Sequence, residues 1–599
     1  MEFHSNNVAL LKKKHKIDIK LGQDDGERIK IENGNVGVLE KGGKLLYFDY
    51  EDKRIDEFAG KIKDNNKVYI LIGFGMGNCV RKILDSIGGS KLIVLENNTS
   101  ILDCALSASD MCDVLNNDNI NIELCDANSV DDVFESNIKS LFFSNAVDVI
   151  ICPGYREIDE QFVNCCIEGV KKAFNNAIVN KNTLDIISEN ILKATFSNIP
   201  YMIKANDIRN IKNVFKGKTA VVVSSGPSLS KNLHYLKEYN DKIVVITGAR
   251  NLDYMRSEGI IPHFVCIIDS LDIVYEFTKN SFDKGLFFIS TEHANPKTVR
   301  KLDGSNMFCT VLLNEFMNKI TENRYEKFLS VSSVAHLCTM IAVYTGCKNV
   351  LFIGQDLAFT DNKVHDDFSG SKYEYNNVDN RNDMFYVEGN YGKKVLSNLS
   401  FQNFKEWLEK YIALNNQVNF INCTEGGAKI KGIKVAPLEE TLKKLCKEDI
   451  RAFEILKKSY TPQEEIDKYK VVHELMKIEE EIVFTRSQYE RGIELCKKIY
   501  EFNKGNMKID IRKAVSEFSE IDKVSEGKTH INSLINILAL SPLKKIVNDR
   551  ELVENSSDSP RQRGIKYALR NKEVCSLYVE SMNRIIELIK GCIEEIKGK

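Results

Sequence analysis

The sequence predicts an α/β protein with two Rossmann-like domains followed by an all-helical C-terminal domain. Three observations carry that expectation. Between about residues 67 and 155 short apolar runs, KVYILIGFG, KLIVLENN and VDVIICPGY, alternate with longer amphipathic stretches, the pattern of βαβ units. A second such series starts at KTAVVVSSGPSLS and continues through KIVVITGAR, HFVCIIDS, GLFFIS and NVLFIGQDLAFT. Beyond about residue 440 the pattern changes. There Ile466, Tyr469, Val472 and Met476, and later Tyr578, Met582, Ile585, Ile589, Ile593 and Ile596, recur at helical spacing with charged residues opposite.

At 599 residues the chain exceeds what one hydrophobic core serves, so several domains are expected. Residues 1–65 read as a small β-rich lead-in, in which NVGVLEKGGKLLYFDY carries a Gly-Gly turn. Residues 66–200 read as the first Rossmann-like domain, closed by a helical linker from about Glu157 to Arg209. Residues 201–442 form the central domain and 443–599 the helical one. With 43% hydrophobic residues, 28% charged residues and a net charge of -2, the chain shows neither a nucleic-acid footprint nor an acidic tail. No apolar run follows the basic residues of the N-terminus, and no window approaches eighteen uncharged apolar residues. A cytoplasmic protein without membrane insertion is expected. The sixteen cysteines include no C-x-x-C spacing, so we read them as reduced thiols packed as small hydrophobes and expect no zinc site.

The first glycine cluster, Gly73-Phe74-Gly75-Met76-Gly77, follows the strand KVYILI, and Glu96 closes the next strand. Glycines at a strand-to-helix turn let backbone approach a phosphate or nucleoside, and an acid after the second strand can take ribose hydroxyls. The spacing is closer to a methyltransferase G-x-G-x-G than to G-x-G-x-x-G, which keeps S-adenosylmethionine open. The competing reading is a tight turn in a scaffold that binds nothing. The second cluster, Ser224-Ser225-Gly226-Pro227-Ser228, follows the apolar strand from Thr219 and precedes a helix expected near Leu229. It offers N–H groups, hydroxyls and a dipole end to an anion, unless Ser228 only caps that helix. The loop lacks a Walker A lysine, which disfavours a P-loop kinase.

Five blocks, SSGPSL, GIIPHFVCIIDS, SVSSVAH, NVLFIGQDLAFTDNKVH and INCTEGGAKIKG, occur in this order between about Asn182 and Leu442. In them the chain resembles the motility accessory factor (Maf) family of flagellin glycosyltransferases. The resemblance implies a sialyltransferase-like central domain and a CMP-activated nonulosonic acid donor of the pseudaminic or legionaminic type. It also implies transfer onto serine or threonine hydroxyls of flagellin. The family's Pro-Asp is Pro262-His263 here, so no mechanism is built on His263.

Within that frame each residue has a physical role and a plainer competitor. Asp269 ends the strand from Phe264, at the carboxyl edge where ligands of open α/β sheets sit, and reads as a hydroxyl contact or a helix cap. Gln355 and Asp356 end the strand from Val350 and can read a sugar or base. The loop from Thr360 to Gly392, including Asp361, is long enough to be a lid. Thr424, Glu425, Gly426 and Gly427 match a polyhydroxylated donor, or else form a turn. Together with Ser225, Gly226, Pro227 and Ser228 these are the expected nucleotide- and donor-binding residues. Inverting transfer needs a base for the acceptor hydroxyl. His365, beside Asp356, is the first candidate and His293, after another strand, the second; His336 reads as packed and His234 as a surface residue.

A runner-up reading is a Mg²⁺-dependent pyrophosphokinase, since a similar central domain occurs in archaeal pterin pyrophosphokinase-like proteins; Asp269 and Asp356 would then hold the metal. A third is a flagellin-binding chaperone on an inactive scaffold. The expected partners are flagellin and the nucleotide-sugar donor, with flagellin taken by the helical region beyond residue 440; no cofactor is expected beyond the donor, and a divalent metal is left open.

Overall fold

The computed structural model describes residues 2–17, 29–32, 35–39, 45–47, 68–87, 90–127, 129–134, 147–280, 285–303, 306–311, 314–321, 325–329, 331–360, 363–365, 384–459, 466–547, 549, 551–554 and 558–598. The chain forms two compact units. One comprises Met1–Asn182, Gly492–Phe518 and Ser541–Ser576; the other comprises Thr183–Arg491, Ser519–Leu540 and Leu577–Lys599.

The first unit opens on a helix, Glu2–His15, that apolar periodicity does not announce. Asn7 anchors it: its amide nitrogen donates to the Leu106 and Ser109 carbonyls and its oxygen accepts from the Met111 N–H. The β-rich segment follows as an antiparallel sheet of β1 (Ile29–Glu32), β2 (Asn35–Leu39) and β3 (Leu45–Tyr47). Its Gly-Gly turn lies outside the described residues. Next come β4 (Val68–Ile72), β5 (Lys91–Glu96), β6 (Ile120–Leu124) and β7 (Val147–Ile151), all parallel, in the order β6-β5-β4-β7. Every residue of β4 is buried, as a parallel strand covered on both faces requires.

The Gly73–Gly77 turn follows β4, and its groups are engaged within the protein. Phe74 N–H donates to Glu96 Oε2 at 2.8 Å, Gly75 N–H donates to the Tyr155 hydroxyl at 3.2 Å, and Asn98 N–H donates to Glu96 Oε1 at 2.7 Å. The Tyr155 hydroxyl in turn donates to Glu96. Both side chains are fully buried, and burial raises both acidities' pKa values, that of Tyr155 well above its ordinary value. The Tyr155 ring packs against Gly73 and its hydroxyl meets Glu96 and Gly75, so the acid and the turn satisfy each other as the scaffold reading expects.

In the second unit β8 (Asn206–Asp207), β9 (Thr219–Val223), β10 (Val244–Gly248), β11 (Phe264–Ile267), β12 (Phe287–Thr291), β13 (Asn306–Thr310) and β14 (Asn349–Ile353) form most of one parallel sheet. A hairpin of β15 (Met384–Glu388) and β16 (Lys394–Asn398) is followed by β17 (Asn419–Asn422) and β18 (Lys434–Val435), which complete the sheet. Its order is β18-β17-β14-β9-β10-β11-β12-β13-β8. From β9 the chain lays strands to one side as far as β13, then returns to place β14 on the other side of β9. The carboxyl ends of β9 and β14 therefore flank the reversal point, where ligands of such sheets bind. The helix Val334–Tyr344 packs Leu337, Cys338, Ile341 and Ala342 into the core over this centre.

The expected helices beyond residue 443 are present, including Lys468–Lys504, Ile511–Asp522, Thr529–Val547 and Pro560–Gly598. They do not cluster as a third unit; their residues are divided between the two. A helix of 37 residues, the length of Lys468–Lys504, runs about 55 Å, further than one small core extends.

Gly73 has φ +96°, and a β-carbon there would fall within the Tyr155 ring. Gly73→Ala should therefore lower stability by roughly 1–3 kcal/mol from overpacking alone, with backbone strain in addition. Equilibrium denaturation checks this; an unchanged midpoint would mean that Tyr155 does not fill the turn.

Candidate functional site

A cavity of about 320 Å³ lies at the reversal point, lined from the carboxyl ends of β9, β10, β11 and β14. Its apolar lining includes Ile273, Val274, Phe277, Phe401 and Phe404, and its polar lining Ser225, Arg250, Asn251, Asp269, Gln355 and His365.

Asp356 organises the polar side. It follows β14, is 2% exposed, and accepts at Oδ2 from the Ser228 hydroxyl (2.8 Å) and Ser228 N–H (3.2 Å), and at Oδ1 from the Thr360 hydroxyl (2.8 Å). Burial raises its pKa, and these hydrogen bonds act in the opposite sense. Backbone closes around it: a β-carbon at Gly226 would strike its carboxylate, and one at Gly427 (φ +76°) its carbonyl oxygen. That carbonyl also accepts from Ala428 N–H at 2.7 Å, and the next residue, Leu357, is held at φ +50°, a left-handed conformation costly outside glycine.

This arrangement revises the expected phosphate loop. Gly226 N–H donates to the Gly354 carbonyl and Ser228 N–H to Asp356, and Ser228 is fully buried. No α-helix starts at Leu229; two 3₁₀ turns, Leu229–Lys231 and Leu233–Tyr235, follow instead, and Ser228 makes no side-chain cap. The turn braces Asp356 through Ser228, while Ser225 and Gly226 line the cavity. Pro227, Ser228, Thr424, Glu425 and Gly426 are not among the cavity-lining residues, whereas Ser225, Gly226, Asp269, Gln355, Asp356 and His365 are. Thr424 Oγ1 accepts from Gln355 N–H at 3.2 Å, so the Thr424–Gly427 loop supports the strand end from behind.

The anion-binding features come from elsewhere. Ser332, Ser333, Val334 and Ala335 bring the start of the helix Val334–Tyr344 to the cavity, with Ser333 capping it by accepting from Ala335 N–H. Opposite stands Arg250, whose guanidinium carbon lies 4.3 Å from the centre of the Phe277 ring. Burial lowers its pKa and the nearby Asp269 acts against that shift. A desolvated guanidinium and a helix N-terminus in one cavity suit a phosphate or carboxylate. Sequence reasoning missed Arg250. Its one signal was position, immediately after the strand KIVVITG, at the same sheet edge as Asp269 and Asp356.

Asp269 is exposed and its Oδ1 accepts from Leu271 N–H at 3.5 Å, so it braces its own loop and faces Arg250. His365 Nδ1 lies 3.3 Å from both the carbonyl oxygen and the hydroxyl of Ser225. A carbonyl only accepts, so Nδ1 carries the proton and Nε2 the lone pair. Burial and then Arg250 push the His365 pKa down to about 4, leaving the ring neutral at pH 7. Of the loop expected from Thr360 to Gly392, residues 361–362, with Asp361, and 366–383 lie outside the described residues, and Met384–Glu388 is the strand β15.

His293 is not brought to the cavity. It follows β12, three strands from β9, or about 14 Å across the sheet; its Nδ1 has no hydrogen-bond partner and lies 3.9 Å from Glu292. His336 stacks on Trp407 with ring centres 4.0 Å apart and is packed; His234 is exposed. His263 is buried, its N–H donating to the Val245 carbonyl while its Nδ1 accepts from Val245 N–H, so it ties β11 to β10.

A parallel α/β unit with a polar cavity at its reversal point belongs to the broad class of nucleotide-binding folds. The family model described as 6-hydroxymethylpterin diphosphokinase MptE-like matches residues 193–362. No curated protein matches the chain. Among solved structures, the MAf glycosyltransferase from Magnetospirillum magneticum AMB-1 superposes with a TM-score of 0.61 at 13% identity, over 100% of this chain and 96% of that one. At that identity the likeness shows a shared fold.

Burial lowers the pKa of His263 to about 3 and of His336 to about 4. The unfolded chain takes up these protons near pH 6.5 and the folded one does not, so stability should fall as pH drops from about 6.5 towards 4. Each histidine contributes a slope of up to about 1.4 kcal/mol per pH unit. Denaturant titrations at stepped pH measure this, and a flat profile would count against their burial.

Proposed function

We propose that the chain is a glycosyltransferase that moves a CMP-activated nonulosonic acid onto serine or threonine hydroxyls of flagellin. The observation that carries this reading is one cavity holding both a neutral imidazole, on His365, whose Nε2 has no partner among the described residues, and a half-buried guanidinium, on Arg250. Fold likeness to a structure titled as a glycosyltransferase supports it, as does the order of the sequence blocks.

In this reading Nε2 of His365 takes the proton of the acceptor hydroxyl while its oxygen bonds to the anomeric carbon. The bond from that carbon to the phosphate oxygen breaks, and CMP leaves with the electron pair. Arg250 and the positive dipole end of the helix Val334–Tyr344 stabilise the negative charge on the leaving phosphate. A pKa of about 4 makes His365 a weak base in the empty site. Burial is the larger cause of that depression and Arg250 the smaller, and an anion on Arg250 offsets only the smaller one.

The pyrophosphokinase reading stands second because the matching family model carries that description. The carboxylates fit its Mg²⁺ poorly: Asp356 is engaged by Ser228 and Thr360, which leaves Asp269. Among the described residues no three acidic, histidine or cysteine side chains converge as a metal site. Calorimetry separates the two readings, since tight Mg²⁺-dependent ATP binding without CMP binding would favour the kinase.

Arg250→Ala should weaken CMP binding about 10- to 100-fold, the loss of a hydrogen bond to a charged group. His365→Ala should bind CMP normally and slow transfer by about 10² to 10⁴. The readout is intact flagellin mass in a deletion strain complemented with each folded variant. A fixed increment, absent with His365→Ala, supports the assignment; full glycosylation by that variant would remove the base from this loop, and flagellin of unchanged mass in the deletion strain would defeat the reading.

Flagellin recognition is proposed for the C-terminal helices. Tyr469, Met476 and Val483 are exposed at seven-residue intervals along Lys468–Lys504, hence on one helix face. Removing everything beyond Lys444 would strip Leu475, Ile478 and Ile482 from the core, so surface substitutions are the cleaner test. Tyr469→Ser with Met476→Ser should leave CMP affinity intact and reduce flagellin retention in a pull-down; undiminished retention would place the acceptor elsewhere.

A further inference from the structure

Among the described residues that line the cavity, Arg250 carries a permanent positive charge, and what it rests on is a ring: its guanidinium carbon lies over Phe277, 4.3 Å from the ring centre. Asp269 acts on it through charge alone, and among the described residues no oxygen accepts a hydrogen bond from the guanidinium. A cation over an aromatic ring is attracted by the ring's quadrupole and keeps its N–H groups for other partners, whereas a carboxylate in the same place would engage them. The ring is itself fixed. Ile273, Val274 and Phe277 stand at i, i+1 and i+4 of the helix Asp272–Thr278, hence on one face, and all three line the cavity. That helix is tied at both ends. At its start the Asp272 carboxylate accepts from Asn295 Nδ2 at 3.0 Å and from Lys297 Nζ at 2.7 Å. At its end Thr278 is fully buried, its hydroxyl donating to the Val274 carbonyl at 2.9 Å, and Lys301 Nζ donates to the Lys279 carbonyl.

A ligand that must order a rotamer-rich side chain for itself binds about 2- to 12-fold more weakly than one that finds the side chain in place. Arginine is such a side chain, and a fixed ring orders it before the ligand arrives. We infer that Phe277 is a positioning residue of this site, whose ring holds the Arg250 guanidinium at the cavity for the phosphate of the bound nucleotide. The inference rests on the reading of Arg250 as the phosphate ligand but not on the choice of reaction, because CMP and ATP both present a phosphate. A merely apolar lining needs a side chain of about that size; positioning a cation needs an aromatic face. The two roles therefore part when the ring alone is removed.

The test is a double-mutant cycle on the full-length chain, with CMP and then ATP binding measured by calorimetry for the wild type, Phe277→Leu, Arg250→Ala and the double variant. Leucine keeps an apolar side chain and removes the ring. Phe277→Leu should weaken binding about 2- to 12-fold where Arg250 is present and leave it unchanged in the Arg250→Ala background. Phe277→Tyr, which keeps the aromatic face, should bind as the wild type does. Equal weakening by Phe277→Leu in both backgrounds would show a simple apolar wall and overturn the inference. So would wild-type binding by Phe277→Leu, or a loss in Phe277→Tyr as large as that in Phe277→Leu. If Arg250→Ala binds as tightly as the wild type, the phosphate reading of Arg250 fails and the inference with it; if Arg250→Ala binds weakly while Phe277→Leu does not, the inference alone fails. Binding of ATP without CMP defeats the transferase reading and leaves the cycle to be decided on ATP; binding of neither overturns both. Should Phe277→Leu fail to fold, Phe277→Met takes its place in the cycle with the same expected outcomes.

Discussion

The carboxylate of Asp356, buried at the end of β14 and held by Ser228 and Thr360, is the constraint on which the cavity depends. It joins the turn after β9 to the strand on the other side of the reversal point, and so sets the spacing of the two walls between which a ligand must fit. A carboxylate is costly to bury unless its oxygens are met by donors. The sequence around it meets that demand with small residues: Gly226 and Gly427 let backbone approach the acid at distances no side chain would permit, and Ser228 supplies both its hydroxyl and its N–H. The left-handed Leu357 is held beside it by the same packing.

With Asp356 and its serine committed to each other, ligand chemistry falls to groups that stand clear of that brace. Arg250 lies on an aromatic face, the helix Val334–Tyr344 presents its start, and His365 is held by the Ser225 carbonyl. Charge is thus separated from structure. The acid buried for stability is braced by neutral hydroxyls, while the cation that suits an anion has the exposed Asp269 nearby.

The two units are variations on one geometry. Each has a small-residue turn after its central strand and a polar residue at the end of the next. In the first unit that residue, Glu96, is satisfied by Tyr155 and by two backbone N–H groups, and the tyrosine ring fills the turn. In the second it is Asn251, which lines the cavity and whose Oδ1 has no hydrogen-bond partner among the described residues. The same fold element is closed by an aromatic side chain in one case and left open to a ligand in the other.

Much of the fold was legible because apolar runs of four to six residues separated by amphipathic stretches leave few arrangements other than parallel sheets covered by helices. The strand-end positions of Asp269, Gln355 and Asp356 followed from the same reading, since a polar residue ending a buried strand must lie at a sheet edge. What each does there did not follow. Ser228 and Asp356 read alike as ligand contacts in a linear chain, and only their meeting across 128 residues showed that they satisfy each other. His293 and His365 both follow apolar strands in sequence. Strand order, a long-range property, carried one three strands away from β9 and set the other against Ser225. Arg250 and Asn251 carried no motif at all, because their meaning lies in the atoms they face: an aromatic ring for one, and for the other the Val223 carbonyl and the Thr247 hydroxyl. Local pattern determined the elements and their edges, and the tertiary structure decided which polar groups satisfy one another and which are left for a ligand, since hydrogen bonding is settled by partners distant in the chain.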